Sequence, residues 1–545
     1  MFRLVIAATL AVLLVPIAAA PRNSPQTPQI RVSTRLVRVD VIVRDKNGPV
    51  ENLTKDDFSI FDRGKPQTIS VFSVYSSAGE QQPLPPMPRN TFSDIPRYGD
   101  TTPRSVTIVL LDNLNTLYGS SPESQYEATP FWVEDLALQN ARKHLTEFIK
   151  TLDPRDRVAI YGLRDTLHIL CDFTSDRDQL LSILKNYDTT PMTNRAFAEP
   201  SSQHPPVMGH VADGFENAGV SFRAGVVNGD RDAETMAALQ EIASHVANIP
   251  GRKNLIWLTA NLPFSGAAMA HVLSPANIAV YPVDARGLLA HSFSEQPDTI
   301  GGNADEVSGA AGHFDNAPAQ SSQPIGIATM QKVAYETGGQ AFVNTNDITG
   351  VIRKAVEDSA VTYTLGFYIG QDALDGKFHE LTVRLKRKDL TVRYAKGYFA
   401  YPDRTVTKED DQNRLAAAVR SPIESSVIPL EATLARVNEP QPNSLRLSCA
   451  IDIHNLQLPQ SGNVRKGAVA IYVIEQDQTG KVVQQWNKVF NLQFSEAQYA
   501  ALLKSGMLFH QNVHPKESVT TIRLLVEDPS TSQLGSLIIP LSQIN

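Results

Sequence analysis

Cysteine is scarce in this sequence, since Cys171 and Cys449 are the only two in 545 residues. So few thiols exclude a scaffold held together by disulfides, and two thiols in different domains would not form a bridge. A chain of this length exceeds what one hydrophobic core supports, so we expect roughly two to four domains. Each of these domains must be stabilised by its own core.

Basic charge is not in excess. The chain carries 57 acidic and 50 basic residues, and its formal net charge is −7. A protein that binds nucleic acid usually shows a basic patch or stripe, and no such run is present. Nucleic acid is therefore not an expected partner.

The sequence also lacks the common catalytic signatures. It contains no G-x-S-x-G elbow, no H-E-x-x-H helix, no P-loop and no G-x-G-x-x-G turn. These absences remove the usual patterns of serine hydrolases, zinc proteases, nucleotide hydrolases and dinucleotide-dependent enzymes. We therefore expect a protein that is not an enzyme and that requires no cofactor.

Long apolar runs are confined to the first twenty residues. Arg3 precedes a mostly apolar stretch over residues 4–17, and Ala18-Ala19-Ala20 stands before Pro21. This pattern is typical of a cleavable signal peptide over residues 1–20, and an uncut membrane anchor is the alternative. No later stretch approaches the roughly 20 apolar residues of a membrane span. The sequence thus predicts a periplasmic or secreted protein without an integral membrane segment after cleavage.

Two regions show the period of antiparallel strands. Residues 27–76 combine alternating valines with an Asn47-Gly48 turn, which predicts a small N-terminal β domain. Residues 77–104 are rich in proline and predict a linker. After a second predicted linker over 401–425, which holds a short polar helix, residues 426–545 contain short, regularly spaced strands typical of a β-sandwich. The alternating valines are Val37, Val39, Val41 and Val43.

Residues 105–400 show a different pattern, in which apolar runs typical of strands alternate with segments of helical periodicity. This alternation predicts an α/β domain with a mostly parallel, Rossmann-like sheet and helices on both faces. Two long segments of low hydrophobicity, 188–230 and 285–325, interrupt the pattern. Strands are expected at 105–111, 157–162, 166–171, 254–259, 277–283 and 361–368, and helices near 133–151, 176–186, 231–248, 326–337 and 347–359.

The first strand of this region ends in a carboxylate. The run Ser105-Val-Thr-Ile-Val-Leu-Leu precedes Asp112, and polar Asn115 and Thr116 follow it. Open α/β sheets bind ligands at the carboxyl ends of their strands, which places Asp112 where a site would form. Hydrogen bonding of Asp112 and Asn115 within the turn is the simpler interpretation.

Several motifs together resemble one bacterial family, the exported von Willebrand factor type A-related domain proteins. The resemblance covers roughly residues 30–400, and it rests on the order and number of these short motifs rather than on any one of them. They are Leu53-Thr-Lys-Asp-Asp-Phe58, Asp62-Arg-Gly-Lys65, Gly251-Arg-Lys-Asn-Leu-Ile-Trp257, Tyr281-Pro-Val-Asp-Ala-Arg-Gly287, Thr337-Gly-Gly339, Tyr363-Thr-Leu-Gly-Phe-Tyr368 and Lys396-Gly-Tyr398.

The resemblance implies a von Willebrand A-like domain with a metal-ion-dependent adhesion site for Mg²⁺. The family pattern Asp-x-Ser-x-Ser is replaced here by Asp112-x-Leu114-x-Thr116, so Asp112 and Thr116 are the candidate ligands and Leu114 cannot ligate. Thr259-Ala260-Asn261 also stands where Thr-Asp-Gly is expected. We therefore expect a degenerate site that binds Mg²⁺ weakly at most. The further threonine that the family supplies corresponds to Thr189, Thr190 or Thr193, which the sequence does not separate.

The predicted function is adhesion-type binding of a protein partner, which the sequence does not identify. The binding surface is expected at the carboxyl ends of the parallel strands, near Asp112. Two alternatives remain, a metal-dependent phosphohydrolase that uses Asp112 and a structural component of envelope assembly. For Asp284 and Arg286, an ion pair that fixes their loop is the simpler interpretation. The candidate partner-binding residues are Asn115, Asn261, Asp284 and Arg286.

Overall fold

A computed structural model gives the fold as a mixed α/β protein with several sheets, as predicted. Antiparallel strand pairs outnumber parallel ones in the described part of the chain, and parallel pairs of strands lie in one sheet there. The structure describes residues 35–46, 48–76, 87–95, 103, 105–115, 131–187, 216–259, 262, 266–285, 326–343, 345, 347–401, 408–437 and 444–544.

The strands are numbered along the chain. The first fifteen are β1 (Arg35–Asp45), β2 (Gly48–Pro49), β3 (Phe58–Asp62), β4 (Lys65–Gln67), β5 (Val71–Ser76), β6 (Thr91–Ser93), β7 (Ser105–Asp112), β8 (Asp156–Leu163), β9 (Leu167–Thr174), β10 (Lys253–Thr259), β11 (Ile278–Asp284), β12 (Val361–Ile369), β13 (Phe378–Leu385), β14 (Thr391–Tyr394) and β15 (Gly397–Phe399). The other eight are β16 (Leu430–Val437), β17 (Ser444–Ile451), β18 (Gln460–Ser461), β19 (Val464–Asp477), β20 (Val482–Ser495), β21 (Met507–Val513), β22 (Val519–Asp528) and β23 (Gln533–Pro540).

The α-helices are numbered in the same way. They are α1 (Phe131–Lys150), α2 (Arg177–Asn186), α3 (Glu216–His245), α4 (Gly266–Leu273), α5 (Ile327–Thr337), α6 (Ile348–Asp358), α7 (Lys408–Arg420) and α8 (Glu496–Ser505). Helix α3 begins inside the segment 188–230, which is predicted to be an insertion of low hydrophobicity. Ser495 caps α8 through its side chain.

The central sheet has the order β11-β10-β7-β8-β9, and its last strand pair, β8 with β9, is antiparallel. Strands β7, β8, β10 and β11 are buried along their whole length, because their continuous apolar runs meet helices on both faces. Residues of α3, α4 and α5 form the core on one face, and residues of α1, α2 and α6 form the core on the other.

Strand β12 corrects one prediction. Residues 361–368 are predicted to join the parallel sheet, but β12 pairs antiparallel with β1 and β5 in a separate sheet. Every second residue from Val361 to Ile369 belongs to the core of that sheet, which is the period of a strand. The small β unit is therefore built from residues on both sides of the central sheet in sequence, since β13, β14 and β15 also join it.

The C-terminal region contains two antiparallel sheets that share one core. One sheet has the order β21-β17-β16-β6, and the other has the order β18-β19-β22-β23, with β20 also paired to β19. Strand β6 lies within the predicted linker 77–104, so part of that segment completes a sheet. Helix α7 packs against the outer face of the second sheet through Leu415, Ala418 and Val419.

Two successive glycines follow α5, and each is required for a different reason. Gly338 adopts a φ of +76°, the left-handed conformation that terminates a helix. Gly339 lies against β11, and a Cβ there would approach the Val280 carbonyl oxygen to 1.8 Å. The second glycine is therefore required by close packing, not by helix termination.

The central sheet meets the C-terminal sheets at a junction of ionisable groups. His245, at the end of α3, contacts the Asp172 carboxylate at 3.3 Å and the Glu424 carbonyl at 2.9 Å. The Tyr161 hydroxyl donates to Asp172 at 2.9 Å, and the Glu424 carboxylate accepts the Ile538 N–H at 2.8 Å. We call Asp172, His245 and Glu424 the junction cluster.

A search of the described residues finds no helix with both the length and the apolar character needed to span a membrane. The predicted signal peptide, residues 1–20, lies outside those residues.

Candidate functional site

The site predicted from the sequence lies at the carboxyl ends of the parallel strands. Strand register aligns Leu111 with Leu258 and Thr259 with Asp284, so the ends of β7, β10 and β11 lie side by side. Asp112 is the last residue of β7. The N–H groups of Asn113 and Leu114 both donate to the Leu163 carbonyl, which ties the following turn to β8.

Asp112 accepts hydrogen bonds from several elements. The Asn115 N–H donates to its Oδ1 at 2.9 Å, and the Asn115 side-chain amide donates to Oδ2 at 3.1 Å. The Trp257 indole N–H donates to Oδ2 at 2.8 Å, and the Thr259 hydroxyl also bonds the carboxyl. Thr235 of α3 accepts from the Asn115 amide at 3.0 Å. We call these five residues the strand-tip network.

The network is enclosed by protein. Asp112, Thr235, Trp257 and Thr259 have no exposed surface, and Asn115 is 1% exposed. Burial raises the pKa of Asp112, because water no longer stabilises its charged form, and the donated hydrogen bonds offset part of that rise. The network therefore fixes the start of the loop after β7, and it does not present a carboxylate to solvent.

Two further buried polar atoms lie beside the network. Among the described residues, the Asn115 Oδ1 and the Asn113 Nδ2 have no hydrogen-bond partner, although the Asn113 Oδ1 accepts from the Tyr187 hydroxyl at 2.8 Å. Buried polar atoms are costly to desolvate without partners.

The structure brings together only some of the predicted site residues. Asp112 and Asn115 are in contact, while Asp284 lies two strands away and is 1% exposed. The side chains of these three residues are buried, so a partner would contact the loops that they hold. Thr116, Asn261 and Arg286 lie outside the described residues, as do Thr189, Thr190 and Thr193.

The described residues do not fit a Mg²⁺ site. Mg²⁺ requires near-octahedral oxygen coordination, and here one carboxylate stands beside one amide oxygen without a partner. Leu114 packs against the core, and both oxygens of Asp112 already accept N–H donors. No group of three or more His, Cys, Asp or Glu side chains in the described chain could hold a metal ion.

Sequence reasoning missed Thr235 and the roles of Trp257 and Thr259 in the network. Trp257 is buried in the core. A buried indole N–H needs an acceptor, and that requirement could have predicted a polar partner for Trp257. Thr259 ends β10 next to Asp112 only because of the strand register. Thr235 depends on the packing of α3 and gives no signal in the sequence.

No protein-family model matches the chain, and no curated protein matches it. Three solved structures resemble part of it. An aerotolerance-related membrane protein from Bacteroides fragilis is 14% identical over 46% of this chain and 98% of its own, with a TM-score of 0.25. The proximal thread matrix protein 1 of mussel byssus, with a zinc-occupied MIDAS motif, is 9% identical over 48% of this chain and 47% of its own, with a TM-score of 0.25. The pilus adhesin SpaC from Lactobacillus rhamnosus GG is 10% identical over 90% of this chain and 61% of its own, with a TM-score of 0.24. At these TM-scores the similarities carry no conclusion about function.

Proposed function

We propose that the chain is an exported, non-enzymatic binding protein of the adhesion type. Its binding surface is formed by the loops at the carboxyl ends of β7, β10 and β11, in a Rossmann-like domain of the von Willebrand A type. The strand-tip network supports this proposal, because the buried Asp112 carboxylate accepts donors from the first loop and from β10, and α3 accepts a hydrogen bond from the same loop. A binding surface gains affinity from loops that are held in place before the partner arrives.

The geometry favours binding over phosphohydrolase chemistry. An attacking carboxylate needs a lone pair that faces the substrate, but Asp112 has no exposed surface and both of its oxygens accept hydrogen bonds. Leu114 occupies the position at which an acid would protonate the leaving group, and it packs against the core. Asp112 therefore acts as a structural anchor in this proposal.

The C-terminal sheets contact the central domain too closely for a simple deletion test of envelope assembly. The Ser426 hydroxyl donates to the His245 carbonyl at 2.8 Å, and Asn248 donates to the Ser426 carbonyl. Removing residues 426–545 would expose the junction cluster, so loss of association would not separate assembly from misfolding. Point variants at the strand tips avoid this difficulty.

Site-specific photocrosslinking tests the proposal. A photoreactive amino acid replaces Asn261 or Arg286 in the mature chain, residues 21–545, and Asp153 serves as the control because it precedes the amino end of β8. After illumination with an envelope fraction from a bacterial host, we expect an adduct of one discrete mass from positions 261 and 286 only. Added mature chain without the photoreactive group should compete with formation of that adduct. The Arg286→Ala variant should compete more weakly than the original protein, and the Arg155→Ala variant should compete equally well. The same adduct from position 153, or no adduct at either strand-tip position, contradicts the proposal.

A further inference from the structure

A cavity of about 380 Å³ lies at the opposite end of the central sheet from Asp112. It is bounded by the start of β1, by the turn between α4 and β11, and by β15. Asn277, which lines it, immediately precedes the amino end of β11, so the cavity is remote from the strand tips. Its volume is within the range of sites that bind small organic molecules.

The described residues that line this cavity include Arg35, Arg38 and His271 but no Asp or Glu. Arg35 donates to the Tyr401 carbonyl at 2.9 Å, and Arg38 has no hydrogen bond or ion pair within the described chain. The protein as a whole is acidic, with a formal net charge of −7, yet no carboxylate is among the described residues that line this cavity. Guanidinium groups that line a cavity and pair with no carboxylate favour an anionic occupant.

Asp40, a carboxyl on which Arg38 acts, does not cancel this positive charge. Asp40 is 7% exposed, accepts from the Thr364 hydroxyl at 2.7 Å and does not line the cavity. Three cations, Arg252, Lys253 and Arg38, act on this single carboxyl. A local excess of positive charge therefore remains at the wall of the cavity.

A second cavity of about 400 Å³ adjoins the first. The two share Arg38, His271 and Pro275, and the second extends toward the C-terminal sheets. Among its described lining residues there is again no carboxylate, and the polar ones include Gln240, Ser244 and Asn455. The two cavities form one groove with Arg38 near its centre, and we call it the arginine groove.

One wall of the groove is aromatic. Phe399 and Tyr398 line the first cavity, and Phe399 stacks on Tyr401 with ring centroids 5.3 Å apart. His271 meets the edge of Tyr401 at 4.6 Å. Flat apolar groups pack favourably on such rings, so the wall fits the organic part of a ligand whose anionic part is held by the arginines.

We propose that the arginine groove binds a small organic anion, with a carboxylate or phosphate group at Arg35 and Arg38 and a flat apolar group against Phe399. The chain's own N-terminal segment is a poor match by charge, because residues 21–34 contain Arg22 and Arg31 and no acidic residue. This binding site is independent of the strand-tip surface, so either proposal can fail without the other.

Calorimetric titration of the mature chain with benzoate, phenyl phosphate and neutral benzamide tests the proposal. We expect binding of at least one anion and no binding of benzamide at the same concentrations; the better anion identifies carboxylate or phosphate as the preferred group. Arg38→Gln and Arg35→Gln should each weaken that binding about tenfold, because each removes a charge-assisted hydrogen bond. Arg436→Gln, at an exposed position of β16, should leave it unchanged.

A filling variant protects the test against misfolding. Ser274 is exposed at the rim, so Ser274→Trp should block the groove and abolish anion binding without changing the unfolding temperature. Equal binding of benzamide, equal binding by all the arginine variants, or no anion binding at millimolar concentration overturns the proposal. So does undiminished binding by a folded Ser274→Trp variant.

Discussion

The strand-tip network and the junction cluster both contain buried carboxyl groups, but they are stabilised in different ways. Asp112 is held by neutral donors, chiefly the amides of Asn115 and the indole of Trp257. Asp172 is held by the Tyr161 hydroxyl and by His245, a side chain that can itself carry a charge. The first arrangement therefore depends on neutral donors, whereas the second places two titratable groups, His245 and Glu424, beside the carboxylate.

The largest expected effect comes from removing the central acceptor of the strand-tip network. Asp112→Ala leaves the Trp257 indole and the Asn115 N–H buried without acceptors, and each such donor costs about 1–3 kcal/mol. We expect the free energy of unfolding to fall by about 4 kcal/mol. Urea unfolding followed by tryptophan fluorescence measures this change, since Trp257 belongs to the network.

Asp112→Asn is the matched control for that variant. It keeps one acceptor oxygen at the same place, so the loss should be about 1–2 kcal/mol. Equal losses for the alanine and asparagine variants would mean that the hydrogen bonds contribute little and that the space occupied by the side chain decides the stability.

These two regions also differ in how far the sequence predicts them. The contact of Asp112 with Asn115 is local, because the two residues are three positions apart at the end of an apolar strand. The central strands are predicted equally well from the sequence, since their apolar runs are continuous. The junction cluster combines residues 172, 245 and 424, and β12 pairs with β1 from the far end of the sequence. Such contacts depend on which sheet a strand joins, and strand patterns alone do not specify that choice.

The second prediction concerns the pH dependence of the junction cluster. Burial raises the pKa of Glu424 from 4.5 to about 7, because its charged form loses water. Burial alone would lower the pKa of His245, but the hydrogen bond and charge of Asp172 outweigh that effect and raise it. In both groups the folded state holds its proton more tightly than the unfolded state, so each stabilises the protein at low pH and loses that contribution as pH rises.

For Glu424 this loss should occur between pH 4.5 and about 7 and reach at most about 3 kcal/mol. Glu424→Gln, which cannot titrate, should reduce the slope of stability against pH in that window. Urea unfolding at pH 5, 6 and 7 checks the difference between the two proteins. Glu431→Gln, at an exposed position of β16, is the control and should keep the slope of the original protein. An unchanged slope in Glu424→Gln would exclude this carboxyl as a pH-sensitive element.

The smallest expected effect is that of Mg²⁺ on the strand tips. The Asp112 carboxylate already accepts hydrogen bonds from neutral donors, so any Mg²⁺ site there is weak. At 1 mM Mg²⁺, a site with a Kd of about 10 mM stabilises the fold by less than about 0.1 kcal/mol. We therefore expect no resolvable change in Tm and no heat of binding on titration with Mg²⁺, for the original protein and for Asp112→Asn alike. A clear rise in Tm that Asp112→Asn removes would contradict this prediction. Thr116 and residues of the neighbouring loops would then have to complete the coordination, and the strand-tip network would have to open to admit the ion, because its carboxylate is fully buried as it stands.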